Sequence, residues 1–386
     1  MGTYPSASWQ RYLIRSPDMV LKSLTFADYP YPYTLMTTQT IISKQGYLQN
    51  PKNTPLPEAL EQMITSTWIS QAIYVAAQLG IADLLKDGPK SSFDLAKATG
   101  THERSLYRVL RALASVGVFV EVEDGCFELT PLATYLQTDV PGSMRALAIM
   151  FGKEWHWRPW LNVLHTLKTG NTTFEHVQGM NLFEYLAKTP EAAQIFNEAM
   201  TSTNATIKAT LTSDYNFSSI SKIVDVGGGH GSLIAAILKA YPTMQGILFD
   251  LPLVVTDAKR HIEAEGLTER CEIVGGNFFE SVPSGGEVYV LKNIIHDWDD
   301  THAIAILKNC YHAMVEKGKL LLIEAVIPPK NEPSFSKFLD LEMLVMSGGC
   351  HRTEVEYQAL LEAAGFQLTN IITTSSSLNV IECVPV

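Results

Sequence analysis

Between Lys222 and Asp250 the chain runs through a pattern with few structural solutions: a short strand, a cluster of glycines, an apolar helix and a second strand. Ile223, Val224 and Val226 form a β-branched run. Gly227, Gly228, Gly229 and Gly231 follow at once, and Leu233, Ile234, Ile237 and Leu238 then recur at helical spacing. That is a βαβ unit with room for a ligand at its first turn. Glycine lets the backbone take positive φ and come close to a ligand, and the helix starting near Ser232 offers unpaired N–H groups and the positive end of its dipole. The second strand, Gly246 to Phe249, ends in Asp250, about 20 residues beyond the glycines, where a carboxylate can accept hydrogen bonds from both hydroxyls of a ribose.

The glycine spacing separates kinds of nucleotide ligand. The dinucleotide fingerprint G-x-G-x-x-G requires glycine at 232, where this chain has Ser232, and no Lys-Ser or Lys-Thr follows to make a phosphate-cradling P-loop. A nucleoside-bearing ligand without pyrophosphate fits better. Asp225-Val-Gly227-Gly-Gly229-His-Gly231 resembles the cofactor loop of S-adenosylmethionine-dependent methyltransferases.

The 386 residues allow two or three domains, and 46% hydrophobic with 18% charged content describes an ordinary globular protein. A formal charge of −11 argues against nucleic acid as a partner, because such binding draws on clustered Lys and Arg. Five scattered cysteines without a C-x-x-C pair suit reduced thiols in a cytosol. No apolar run approaches a membrane span and no secretory leader is visible, so a cytoplasmic protein without membrane contacts is expected.

Residues 1–55, rich in Tyr, Pro, Thr and Ser, read as an extended arm or leader, in which Met19-Val20-Leu21 suggests docking on a surface. Residues 56–145 read as a winged helix. An apolar helical stripe comes first (Met63, Trp68, Ile69, Ala72, Ile73, Ala76, Ala77), then the helix Arg104 to Val116 and a hairpin from Val118 to Leu129 turning at Asp124-Gly125. Acidic residues (Asp94, Glu103, Glu121, Glu123, Asp124) offset Arg104, Arg108 and Arg111, which favours packing or dimerisation over DNA binding. Residues 146–210 continue in helices carrying Trp155, Trp157 and Trp160, and then Phe174, Phe183, Phe196 and Met200. Aromatics at such spacing are core more often than ligand contacts, and His156, His165 and His176 are read as structural. This segment still lies between two domains, where small ligands bind.

Residues 211–386 alternate strands and helices, which implies a Rossmann-like, doubly wound, mainly parallel sheet. Ligands in such sheets lie beyond the carboxyl ends of the strands, where Gly227, Asp250, Asn277, His296 and Glu324 all fall.

The glycine loop, Asp250, Gly276-Asn-Phe-Phe-Glu280, Leu291-Lys-Asn-Ile-Ile-His-Asp-Trp298, and Gly348-Gly349 before Arg352-Thr353 together resemble the small-molecule O-methyltransferases of plants and of bacterial secondary metabolism, such as caffeic acid and acetylserotonin O-methyltransferases. The resemblance covers residues 57–386. It implies a homodimer joined through the winged module, S-adenosyl-L-methionine as cofactor and a small-molecule acceptor with an aromatic or polyketide-like hydroxyl. It further implies that Asp225, Gly227, Gly229, Gly231, Asp250, Asn277, Phe278 and Lys292 bind the cofactor, with Asp250 on the ribose and Phe278 near the adenine. Trp160, Met200, Asp297 and Met343 would line the acceptor site, and His296 would be the general base.

That last assignment also has a direct argument. An acceptor oxygen must lose its proton during methyl transfer, and imidazole, with pKa near 6.5, is poised to take it. Glu324, at the end of the following strand, is the candidate to bond the other ring nitrogen, as a triad carboxylate does. Asp297 is the alternative partner, with its neighbouring position expected to face elsewhere. Two departures from the family pattern stand out. Asn277 replaces the usual Asp, and His351 stands where many relatives carry Glu, so His351 is read as a substrate contact or second base. Nothing in the spacing of Cys350, His351, His296 and Glu324 marks a metal site, and none is expected. Two other readings remain open at this stage: N- or C-methylation or a non-methylating reaction on the same fold, and a winged-helix regulator that binds a nucleoside.

Overall fold

The computed structural model describes residues 55–386, the side chains of 201 and 203–210 excepted. The expected arm, residues 1–55, therefore lies outside the described residues but for its last position, and with it the docking role of Met19-Val20-Leu21.

The first described element is the helix α1 (Leu56–Gln78). After a two-residue strand at Lys90–Ser91 come a helix at Ser92–Thr99, the helix α2 (Glu103–Ser115) and the hairpin β1 (Phe119–Glu123) and β2 (Cys126–Leu129). The winged arrangement read from the sequence is present. α2 buries Leu106, Leu110 and Leu113 against Leu95, Phe119 and Phe127, and leaves Arg104, Arg108 and Arg111 exposed. The stripe on α1 behaves differently. Ala76 and Ala77 are buried, but Met63 and Trp68, with Leu56, Leu60 and Ile64, are exposed. A stripe that turns away from its own core needs another surface to cover it.

Helices α3 (Arg145–Gly152), α4 (Glu154–Leu161) and α5 (Pro190–Asp214) follow, with shorter ones between. At Gly152 a Cβ would come within 2.0 Å of the Tyr74 ring, so glycine here lets α3 cross α1 closely.

A seven-stranded sheet forms the rest of the fold: β3 (Lys222–Val226), β4 (Gln245–Asp250), β5 (Cys271–Gly275), β6 (Val288–Lys292), β7 (Lys319–Glu324), β10 (Phe366–Thr373) and β11 (Asn379–Pro385). Two short strands, β8 (Val326–Ile327) and β9 (Arg352–Thr353), make a separate parallel pair. The order in the large sheet is β10-β11-β7-β6-β3-β4-β5, parallel throughout except that β11 runs against both neighbours. Each central strand is apolar along its length because both faces are covered. Ile223, Leu248, Val288, Val290, Leu321 and Ile323 enter one core, while Val224, Val226, Phe249, Tyr289, Leu291, Leu320 and Leu322 enter the other. The helices α6 (Ser232–Ala240), α7 (Pro252–Ala264), α8 (Asp300–Ala313), α9 (Ser336–Met346) and α10 (Glu354–Ala363) complete the domain. Two of their starts are fixed chemically. Asp299 caps α8 by accepting the His302 N–H, and Thr353 with Glu356 closes a capping box on α10.

Candidate active site

At the end of β3 the chain turns through Gly227, Gly229 and Gly231 with φ of 70°, 58° and 79°. A Cβ on Gly227 would stand 2.5 Å from the Ile294 side chain, and one on Gly231 would stand 2.8 Å from Leu248, whereas the space beside Gly229 is open. The loop is thus packed on its inner side and clear on its outer one. Gly231 directly precedes α6. Asp250, at the end of β4, accepts the Gly229 N–H at 2.8 Å and its neighbour's N–H, from Leu251, at 2.6 Å. Burial raises its carboxyl, and these bonds oppose the rise. Two oxygens with about four lone pairs still leave it able to accept from a ligand. Asp225 lies beneath the loop, 2% exposed, with Oδ2 lacking a partner. Burial pushes its carboxyl up to about 7, with the Lys292 charge, at the end of β6, pulling the other way.

Phe278 sits beside the loop, its ring 3.8 Å from where a Gly227 Cβ would be, edge-on to Phe279 and Trp298. Asn277 turns inward: Oδ1 accepts the Phe279 N–H at 3.0 Å and Nδ2 donates to Glu280 at 3.3 Å. The carbonyl expected to face an adenine amino group therefore already closes an Asx turn, a bond that a short polar side chain makes readily with its own backbone.

The second half of the site is built on β6 and β7. Glu324, fully buried, accepts the backbone N–H groups of Ile294 (3.1 Å) and Ile295 (2.9 Å) on Oε1, and the His296 Nδ1–H at 2.5 Å on Oε2. Burial alone would raise its carboxyl, but the charge and hydrogen bond of His296 hold it below the ordinary carboxylate value. Desolvation works against a charged His296, and the fields of Glu324 and Asp297 more than offset it, lifting the imidazole to about 9.

The neighbouring Asp297 does not face elsewhere. The short 3-10 turn Ile295–Asp297 coils both residues to one side, and Asp297 Oδ1 stands 3.7 Å from His296 Nε2. Burial raises its carboxyl to about 6.

His351 lies against His296, with ring centroids 4.5 Å apart and planes tilted by 33°. It is 6% exposed, and its Nδ1 is buried without a partner. Burial and the neighbouring His296 charge push it down to about 4, so it stays neutral and is a weak proton acceptor at neutral pH. Its backbone N–H donates to Asp340 on α9 at 2.9 Å. Three of the four groups that spacing left unconnected thus converge: one donor atom each from His296, Glu324 and His351 lies within 4.8 Å of the others.

Two residues hold this arrangement that sequence reasoning gave no role. A Cβ on Gly349 would fall 2.0 Å from the His296 carbonyl oxygen and 2.4 Å from the Asp297 carbonyl carbon, so only glycine lets the two loops touch. Arg352, 2% exposed, donates to Asp300 through Nε and Nη2, to the Trp298 carbonyl, and through Nη1 to the carbonyls of Ile295 and Cys350. That clasps the loop on both sides of His296. The Gly348-Gly349…Arg352 pattern was the available signal, but not the use made of it.

The helical wall contains a second buried pair. Glu342 on α9 joins His156 Nε2 at 2.6 Å and accepts from Trp160 Nε1 at 2.7 Å, both on α4. Trp160 therefore spends its only donor on the protein. Trp160 and Met200 pack against the cluster that also takes Val345 and Met346 of α9, and Met343 is half-buried on the same helix. His165 and His176 stack on each other, 3.8 Å apart.

Comparison with known proteins places this geometry. An O-methyltransferase domain profile matches residues 160–367, and an O-methyltransferase dimerisation domain profile matches residues 61–139. The chain is 46% identical over 332 residues to phenazine O-methyltransferase PhzM of Lysobacter antibioticus, covering 86% of this chain and 97% of that one. It is 32% identical over 340 residues to an 8-amino-8-demethylriboflavin N,N-dimethyltransferase of Streptomyces davaonensis, covering 87% and 97%. Among solved structures, the S-adenosylhomocysteine-bound form of CalO1, a methyltransferase of calicheamicin biosynthesis, superposes with a TM-score of 0.78 at 33% identity, over 86% of this chain and all of that one. The open side of Gly229, the remaining acceptor capacity of Asp250 and the Phe278 ring suit a nucleoside cofactor of that kind. The chain belongs to the O-methyltransferase family, with its dimerisation and methyltransferase domains both present.

Proposed function

We propose that this S-adenosylmethionine-dependent methyltransferase moves a methyl group to a hydroxyl of an aromatic or polyketide-like small molecule, acting as a homodimer through the exposed face of α1, with His296 managing the proton of the acceptor. The observation that carries the reading is the His296–Glu324 pair beyond the carboxyl ends of β6 and β7, on the sheet edge that also bears the glycine loop. The cofactor supplies an electrophilic methyl group on a sulfonium. Asp250 holds the ribose, Phe278 flanks the adenine, the loop from Gly227 to Gly231 passes under the remainder, and Asp225 and Lys292 set the charge beneath it. Asn277 contributes what acceptor capacity its own turn leaves. Trp160, Met200 and Met343 shape the acceptor side, and Asp297 faces the acceptor beside His296.

In this reading Glu324 fixes the ring: with Nδ1 donating to the carboxylate, Nε2 is the nitrogen that meets the acceptor. His296→Ala should lower kcat by at least about 100-fold, the range of a positioned acid–base group, with affinity for S-adenosylhomocysteine nearly intact by calorimetry. Retained turnover would remove His296 from the chemistry.

A relative that methylates nitrogen keeps a second reading in play. An amine presents its lone pair without prior loss of a proton, so amine acceptors methylated equally well by the His296→Ala protein would favour N-methylation.

A further inference from the structure

Polar groups inside an aromatic wall need partners, and the wall formed by α4 and α9 does not supply all of them. Trp155, Phe174, Val345 and Met346 belong to one apolar cluster there, with Phe151, Trp160 and Met200 packed against it. Glu342 of α9 reaches into these side chains. His156 Nε2 at 2.6 Å and Trp160 Nε1 at 2.7 Å each meet one of its oxygens. An ionised carboxylate only accepts, so both nitrogens donate, and of about four acceptor positions some stay open on each oxygen. Its one ion-pair partner among the described residues is His156, and its side chain keeps 15% of its surface open, against 3% for His156. Beside it, two further polar atoms are buried without a partner: His156 Nδ1 and Trp155 Nε1, on rings 5.8 Å apart. A tie between two helices requires none of this, because apolar residues of similar volume hold helices together as well or better.

The course of α9 shows what comes past Glu342. At about 100° of turn per residue, Met343 falls on the inner arc between Glu342, which faces α4, and Asp340, which accepts the His351 N–H. Leu341, on the outer arc, is exposed. His351 in turn lies against the His296 ring, 4.5 Å between centroids. Glu342, Met343 and the His296 loop therefore follow one another along the same wall.

We propose that Glu342, held by His156 and Trp160, is a second anchoring point for the acceptor. It takes a hydrogen-bond donor, N–H or O–H, that an aromatic or heteroaromatic acceptor carries on the side away from the hydroxyl to be methylated. This rests on the O-methylation reading and narrows its substrate class. Glu342 touches no reacting atom; it fixes which way the ring system lies, and so which hydroxyl meets His296. An ether or a bare ring edge at that end leaves the carboxylate desolvated without a partner, and a second carboxylate there is disfavoured by like charge.

The test is a calorimetric titration of the full-length protein saturated with S-adenosylhomocysteine. The probes are 2-naphthols carrying hydroxyl, amino, methoxy, carboxylate or hydrogen at carbon 6, and 2-hydroxyphenazines carrying the same groups at carbon 7, two scaffolds of different length. The hydroxyl and amino compounds should bind about 10- to 100-fold more tightly than the methoxy and unsubstituted ones, the range of a hydrogen bond to a charged group, with the carboxylates weakest. The tighter of the two identifies the donor. Glu342→Leu should bring that ratio to within about threefold of unity, and Glu342→Gln, which keeps the volume without the charge, should lower it; affinity for S-adenosylhomocysteine checks that each variant is folded. Equal affinity across the parent series, a preference that survives Glu342→Leu, or a uniform loss for every probe would overturn the proposal and leave O-methylation standing. Turnover with S-adenosylmethionine that methylates amines and none of these hydroxyls would remove the underlying reading, and the anchoring point with it.

Discussion

Replacing Gly349 with alanine adds one methyl group, and the structure says where it goes. The new Cβ would lie 2.0 Å from the His296 carbonyl oxygen, 2.4 Å from the Asp297 carbonyl carbon and 2.8 Å from the Asp297 Cα. All three are backbone atoms, so no side-chain rotation relieves the contact. Reaching an ordinary separation of about 3.4 Å requires the loops to part by roughly 1 Å or more. The 294–297 turn is pinned by Glu324 beneath, and the 348–352 segment by Arg352 and Asp340, so the displacement falls on His296 itself. A misplacement of about 1 Å at reacting groups is worth on the order of 100-fold in rate. The overpacking should cost about 1–3 kcal/mol of stability. The expected result for Gly349→Ala is therefore a kcat lower by about 100-fold, S-adenosylhomocysteine affinity within about threefold of the parent by calorimetry, and a modest loss in thermal midpoint. A variant with parental kcat would show that the loops separate freely and that their contact does not position His296.

Other consequences are as direct. Asp250→Ala removes the carboxylate beside Gly229 and, at about 1.5–3 kcal/mol for a charge-assisted hydrogen bond, should weaken S-adenosylhomocysteine binding by roughly 10- to 100-fold in a calorimetric titration. Arg352→Lys keeps the charge but loses the planar fork; with its bonds to the Ile295, Trp298 and Cys350 carbonyls lost or weakened, denaturant unfolding should show a loss of about 3 kcal/mol, together with a fall in kcat. The His296 value lies above that of the unfolded chain, so its contribution to stability is fully present below about 6.5 and is lost as pH rises through about 9. Urea midpoints of the ligand-free protein should decline across that window, and His296→Gln should flatten the decline.

The glycine loop, Asp250, His296 and Glu324 were legible because a doubly wound sheet puts strand ends at one edge, and strand ends can be read from apolar runs. What escaped was set by the paths of loops. Asp297 follows His296 directly, and period-two reasoning sends neighbours to opposite sides, but the chain has left β6 and coils in a 3-10 turn, which brings both to one face. His351 was weighed as a substrate contact or second base because it stands where many relatives carry Glu; its burial and the ring beside it, which push it down to about 4, follow only from the fold. Glu342 carried no signal in the sequence, because its bond to His156 spans 186 positions. On α1 the apolar stripe was visible, but whether Met63 and Trp68 face inward depends on how the helix is turned, which periodicity does not record.

The site depends most on one short reversal. β6 and β7 run parallel with Lys292 opposite Ile323, so the two strands end together, and Glu324 follows Ile323 directly. An extended continuation of β6 would carry His296 away from that carboxylate. Asn293 prevents it: its N–H still donates to the Ile323 carbonyl at 3.1 Å, but its φ of 55° turns the chain sharply. Asn is among the few residues other than glycine that tolerate this conformation. The next two N–H groups then fall on Glu324 Oε1, and the ring that follows falls on Oε2. The carboxylate that sets the imidazole tautomer is therefore also the end of the strand that the loop folds over. Ring placement and chain path rest on the same side chain, so a substitution at Glu324 should disturb the 294–297 turn and the His296 ring together.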